Sequence, residues 1–238
     1  MILVPDSRFF AISERGGREV NEDAILAEPA GDSLLLGIAD GLGGHARGEV
    51  ASGIAVGVLR GIGAGALSSD PELLLLQVFT EANLQIVRYN LEHAVNSGTT
   101  LTACIVSPGG RCTIGSLGDS RAYVIDGESC WHTRDHSYLQ QLIDAGDLTE
   151  ERAVRHPQAN IITRALGLER GCVPDLYTVE AGGRVLVLTS DGIHDHIDPA
   201  RLRELALTPG NREAALALLE EALFQGSTDN LSVIVCRP

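Results

Sequence analysis

An α+β architecture of four layers, α-β-β-α, with two mainly antiparallel sheets flanked by helix pairs, accounts best for this sequence. Three observations lead there. Apolar, strand-like runs come in groups and not singly between helices, which disfavours a doubly wound parallel sheet. Helix-like segments come in pairs, 45–59 with the segment after Asp70-Pro71, and 199–207 with 212–224. No linker-like composition shift, internal repeat or low-complexity tract interrupts residues 1–238, so the chain reads as one domain.

The elements follow in order. Residues 9–13, 24–28 and 34–39 are strand-like and end at the turn signal Asp40-Gly41. An Ala-rich helix is expected over 45–59. A second starts after Asp70-Pro71, where Pro suits a helix's first turn. Its apolar positions Leu74, Val78, Ala82, Leu84 and Val87 fit one helical face. Strands are expected at 100–106, 112–117, 122–125 and 129–132, punctuated by Pro108-Gly109-Gly110 and Asp126-Gly127. A helix at 138–145 precedes a long polar connection, 146–171, which is expected to act as a mobile flap. Strands at 176–179 and 185–189, the two C-terminal helices and a last strand at 231–236 complete the series.

Composition removes several function classes. The formal charge is −14, and an acidic surface repels nucleic-acid phosphate. No run approaches the roughly 20 apolar residues of a membrane span. The first ten residues lack the basic start and apolar centre of a secretory signal, so a cytoplasmic location is expected. The five cysteines, Cys104, Cys112, Cys130, Cys172 and Cys236, form no C-x-x-C pair and read as reduced, mostly buried small side chains.

The acids are informative by position. Glu22, Asp40, Asp119, Asp191 and Asp229 each stand at or beside the end of an apolar run. Asp-Gly and Asp-Asn are ordinary turn formers, so each alone says little. Together, carboxylates at strand ends can converge on one edge of a sheet sandwich, where hard divalent cations find oxygen ligands.

The motifs extend further. Arg18-Glu19-Val20-Asn21-Glu22-Asp23, Asp40-Gly41-Leu42-Gly43-Gly44-His45, Gly98-Thr99-Thr100 and Gly118-Asp119-Ser120-Arg121-Ala122-Tyr123 come first. Asp135-His136-Ser137, His156-Pro157, Thr163-Arg164-Ala165-Leu166-Gly167, Ser190-Asp191-Gly192 and Asp229-Asn230 follow. In this order and over nearly the whole chain, the sequence resembles the bacterial metal-dependent serine/threonine phosphatases of the protein phosphatase type 2C family.

That resemblance implies a sandwich of two antiparallel sheets flanked by helix pairs. It implies hydrolysis of phosphoserine and phosphothreonine in proteins, reversing kinase signalling, by direct attack of a hydroxide bridging two Mn²⁺ or Mg²⁺ ions. Asp40 would bridge both ions. Glu22 and the Gly41 carbonyl would complete one ion's protein ligands, and Asp191 and Asp229 would serve the other. Arg18 would grip the phosphate, for which its two-pronged fork is suited. Asp119 would share a weaker third ion with Asp191, and Asp23 would support the ligands from behind. The implied partners are phosphorylated proteins, the targets of a serine/threonine kinase, met by a monomer without nucleic acid or membrane. Animal members carry His directly after Asp-Gly, where this chain has Leu42, so no general acid is assigned.

Rival chemistries fit less well. A cysteine phosphatase needs Cys-x₅-Arg, and Cys104 with Arg111 is one residue too long. No Gly-x-Ser-x-Gly elbow supports a serine hydrolase. Gly61-Ile62-Gly63-Ala64-Gly65-Ala66 resembles a dinucleotide fingerprint, but Ser68-Ser69-Asp70-Pro71 follows where a helix should open. A non-catalytic phosphoprotein-binding module would be expected to have lost acids that are all present here.

Overall fold

Strands buried on both faces read as continuous apolar runs, whereas edge strands alternate. That difference sets the order of the sheets. In this computed structural model, residues 1–43, 47–62, 70–149, 158, 161–168 and 173–238 are described. Their strands are β1 (Ile2–Pro5), β2 (Phe9–Glu14), β3 (Ala24–Ala30), β4 (Ser33–Ala39), β5 (Gly41–Leu42), β6 (Gly98–Thr99) and β7 (Leu101–Val106). Then come β8 (Arg111–Leu117), β9 (Arg121–Ile125), β10 (Cys130–His132), β11 (Asp175–Glu180), β12 (Val185–Thr189) and β13 (Leu231–Cys236).

One sheet runs β1-β2-β13-β12-β9-β10, a second β11-β8-β7-β4-β3, and β5 pairs with β6 in a small ribbon. Every strand pair is antiparallel. The central strands β4, β7, β12 and β13 are buried at every position. The edge strand β11 is not.

The described helices are α1 (Gly48–Arg60), α2 (Pro71–His93), α3 (Tyr138–Ala145), α4 (Asp191–His194), α5 (Pro199–Ala206) and α6 (Asn211–Phe224). Three apolar cores separate four layers. The first lies between the five-stranded sheet and the α1–α2 pair, with Leu35, Leu59, Phe79 and Leu101. The second lies between the sheets, with Phe9, Leu36, Ile114, Leu186 and Ile234. The third lies under α5 and α6, with Ile12, Val187, Leu202, Leu218 and Val233. The expected α-β-β-α sandwich is the one observed.

Local chemistry sets the boundaries. Asp70 caps α2, its Oδ1 accepting the Glu72 N–H at 3.0 Å, and Pro71 occupies the first turn. Ser137 caps α3 through the Gln140 N–H at 3.2 Å. The expected face of α2 needs correction. Leu75, Val78, Phe79, Ala82 and Ile86 are buried, while Leu84 is 55% exposed. The run of leucines at 73–76 leaves the helical phase ambiguous, and Phe79, wedged against Gly115 of β8, fixes it. Strand β1, the β5–β6 ribbon and the four-residue α4 were not anticipated, being too short to carry a period.

Cys104, Cys112 and Cys236 are buried and Cys130 half-buried, all free; burial pushes the Cys236 thiol up to about 12. Among the described residues, no helix is long and apolar enough to cross a membrane. The start of the Ala-rich segment, including His45, lies outside the described residues. So do His156, Cys172, most of the Gly61–Ala66 glycine motif, and 150–157, 159–160 and 169–171 of the flap-like segment. The return of that segment is stitched down by bridges from Ile162 to Ser137 and from Leu166 to Thr99.

Candidate metal centre

Antiparallel pairing brings the expected acids to one edge. Ala24 at the start of β3 pairs with Ala39 at the end of β4, and Leu117 at the end of β8 pairs with Leu101. In the other sheet, Thr189 at the end of β12 pairs with Val233 near the start of β13. Glu22, Asp40 and Asp119 therefore leave the five-stranded sheet where Asp191 and Asp229 leave the six-stranded one.

Backbone contacts hold each acid. The Asp40 N–H donates to Thr100 Oγ1 at 2.9 Å, and its carbonyl accepts from the Thr100 N–H at 2.9 Å and Thr99 Oγ1 at 2.8 Å. Thr100 Oγ1 lies 2.7 Å from Ser120 Oγ, which ties Asp40 to the turn bearing Asp119. Gly41 donates its N–H to the Glu22 carbonyl at 3.2 Å. A Cβ on Gly41 would stand 2.4 Å from the Gly48 carbonyl, so only glycine lets α1 come this close. Asp229 Oδ1 accepts the Asn230 N–H at 2.8 Å, and its Oδ2 pairs with Arg18 at 2.7 Å.

Electrostatically the cluster is over-acidic. Burial pushes Asp40 well above the carboxylate range, and Asp191, Asp23 and Asp119 add to the rise. Asp119 is raised by burial, then by Asp191 and Asp135. Asp191 is raised by burial and then by Asp229, against the Gly192 N–H. Burial and Glu49 raise Glu22, while the Gly48 N–H at the start of α1 pulls it down. Asp23, just beneath, is pushed up to about 7 by burial, despite hydrogen bonds from Ser232 at 2.6 Å and Ser190 at 2.9 Å.

Three buried carboxylate oxygens among the described residues, on Asp23, Asp119 and Asp191, have no hydrogen-bond partner. Orphaned buried acceptors are costly. Hard divalent cations are the chemistry that oxygen-only donors at this density accept. No three described His, Cys, Asp or Glu side chains already surround one point as a finished cage. The donor set fits Mg²⁺ or Mn²⁺.

Asp195 joins the cluster unannounced. Two-fifths of its side chain is exposed to solvent, yet burial of the rest, then Asp191, pushes its pKa up to about 7. Its spacing of four from Asp191 was the available signal. His136 is 7% exposed; its Nδ1 accepts the Gly118 N–H at 3.1 Å and its Nε2 faces Asp175 at 3.2 Å. Burial lowers its pKa, and it serves as a brace for the Asp119 turn and not as a free acid. Arg121 grips Asp135 through two bonds of 2.8 and 2.6 Å beside it.

A stability prediction follows from these raised acids. A carboxyl with a higher pKa folded than unfolded holds its proton better in the folded state. That contribution is complete below the unfolded value of about 4 and is lost as pH climbs through the folded value. For the buried Asp23 the loss ends at about 7. Chelator-treated protein should therefore melt at progressively lower temperature from pH 5 to 8. Mn²⁺, which stabilises the ionised carboxylates, should widen its advantage over the same range. Calorimetry with and without Mn²⁺ checks this; parallel melting profiles would remove the cation from the site.

Residues 13–214 match the family model described as Protein phosphatase 2C. Serine/threonine protein phosphatase PstP of Mycobacterium tuberculosis is 37% identical over 234 residues, which are 96% of this chain. The chain spans only 44% of that relative's length. Serine/threonine phosphatase stp of Listeria innocua is 33% identical over 228 residues, 92% of this chain and 90% of its own. The solved catalytic domain of PstP in complex with 2 manganese ions superposes with a TM-score of 0.86 at 34% identity, covering 97% of each chain.

Proposed function

This chain belongs to the protein phosphatase 2C family, and from that premise we propose that it removes phosphate from phosphoserine and phosphothreonine in proteins, using divalent cations. Residues 1–238 act as one catalytic domain, a cytoplasmic monomer whose partners are the phosphorylated targets of a serine/threonine kinase. The observation that carries this reading is the meeting of Glu22, Asp40, Asp119, Asp191 and Asp229 on one sandwich edge, with orphaned carboxylate oxygens and Arg18 alongside.

Asp40 would serve two ions, Glu22 and the Gly41 carbonyl one of them, and Asp191 and Asp229 the other. Asp119 with Asp191 would hold a weaker third, which we propose from the same surplus of carboxylate oxygen. Bound Mn²⁺ or Mg²⁺ would acidify water toward neutral pH and offset the charge of a phosphate dianion. The protein's own work is positional. Thr99, Thr100 and Ser120 hold the Asp40 and Asp119 backbones in register. Arg18, 56% exposed at the rim, is paired with Asp229; with a cation balancing that carboxylate, its fork would be free for the phosphate oxygens. His136 and His194 are both buried, and no general acid is assigned to the leaving oxygen.

Hydrolysis of p-nitrophenyl phosphate and of a phosphothreonine peptide, with and without Mn²⁺, tests the proposal. Turnover of both only with the ion is expected; inactivity at saturating Mn²⁺ would overturn it. Arg18→Ala should raise KM for p-nitrophenyl phosphate roughly tenfold or more, since a charge-assisted hydrogen bond is worth about 1.5–3 kcal/mol. Turnover should survive in part. An unchanged KM with abolished kcat would take Arg18 off the phosphate.

A further inference from the structure

One buried amide joins the phosphate side of this site to its metal side. Asn230, 5% exposed, lies between Asp229 and the first residue of β13. Its Oδ1 accepts the Glu22 N–H at 2.8 Å. Its Nδ2 donates to the Arg15 carbonyl at 2.9 Å and the Val20 carbonyl at 3.0 Å. Both donors and the carbonyl of the amide are thus committed. Arg15 and Val20 bracket Arg18, so the amide closes the loop that presents it. The Asn230 N–H meanwhile orients Asp229 Oδ1 at 2.8 Å.

The rest of the loop relies on the same support. Gly17 donates its N–H to the Thr228 carbonyl at 3.1 Å. Gly16 has φ +60°, and a Cβ there would stand 2.0 Å from the Asp229 carbonyl, so the loop lies directly on 228–230. Its internal bonds are weak: the Arg18 N–H reaches the Arg15 carbonyl at 3.4 Å, and Arg15 Nη1 reaches the Glu19 carbonyl at 3.4 Å.

We propose that Asn230 is the positioning residue for Arg18, its side-chain amide setting the phosphate-gripping loop against Asp229 and Glu22. The proposal rests on the phosphatase reading above. Asn230→Asp isolates it. The substituted carboxylate still accepts the Glu22 N–H, but its second oxygen would face two carbonyls with no proton to share. The Arg18 loop is released while the Glu22 contact stays.

At saturating Mn²⁺, Asn230→Asp is expected to raise KM for p-nitrophenyl phosphate about tenfold, with kcat within about threefold and two tight Mn²⁺ ions retained by calorimetry. Arg18→Ala combined with Asn230→Asp should have a KM no higher than Arg18→Ala alone, because the second change acts through a side chain already gone. Asn230→Ser, whose one short hydroxyl cannot replace both Nδ2 bonds to the loop and adds no charge, should behave alike. KM effects that multiply in the double variant, or an unchanged KM, would overturn the assignment. Collapse of the fold in both single variants would do so too, reducing the amide to a structural tie. If the unaltered protein does not hydrolyse p-nitrophenyl phosphate, the phosphatase reading falls and takes this with it. If it does, and Arg18→Ala raises KM while Asn230→Asp does not, only the role of Asn230 falls.

Discussion

Asp40→Asn is expected to lower kcat at least about a hundredfold at saturating Mn²⁺. Asp40 is buried among other acids, and Asp191, Asp23 and Asp119 all act on it. An amide keeps the shape but removes the charge that two cations would share, and loss of a metal ligand vacates or displaces the ion. Asp191→Asn and Asp229→Asn should show losses of the same order. The backbone of Asp40 is held by Thr99 and Thr100 whatever its side chain, so the fold should tolerate the change. The chelator-treated Asp40→Asn protein should in fact melt higher than its parent, since one repelling carboxylate has gone. Steady-state kinetics and calorimetry on the same samples check both. Near-normal turnover in all three variants would sink the metal mechanism.

Asp119→Ala separates the core from the additional ion. Asp119 is 7% exposed with an orphaned oxygen, and Asp191 and Asp135 press on it. Four other acids already supply the proposed two-ion core. The truncation should therefore leave two tight Mn²⁺ sites in calorimetry while kcat drops roughly tenfold to a hundredfold, the range seen when supporting groups of a metal site are lost. Full activity with two ions bound would strike Asp119 from the working site. Loss of all ion binding would place it in the core instead.

Much of this was legible in the sequence where apolar runs are long. The strands that end in Asp40, Asp119 and Asp191 are buried at nearly every position, so their limits show in composition alone. Period fails where runs are short or uniform. Four leucines in succession hid the true face of α2, and α4 has too few residues to show one. With α4 unseen, the placing of Asp195 beside Asp191 stayed unseen too. The convergence of the acids could be argued from strand ends, but not their support. The brace of His136 on Gly118 spans 18 positions, and that of Asn230 on Glu22 spans 208. No local pattern encodes contacts so distant in the chain; they exist only once two sheets are packed.

Glu22, Asp40 and Asp119 depart from one sheet, Asp191 and Asp229 from the other, and the layer between the sheets is mainly apolar. A cation shared across that division, as proposed above, would be a clasp as well as a reagent. Two slabs in contact through methyl and thiol groups resist separation well but sliding poorly, because apolar contact has no direction. Oxygen ligands drawn from both slabs would add direction to the few polar ties that already cross between them, at Asp23 and Asn230. Side chains far from any phosphate, such as Cys104, Ile114 and Ile234 in that middle layer, would then act as tuning screws for ion affinity: a change in their bulk that shifts one slab against the other would alter the clasp without touching a ligand.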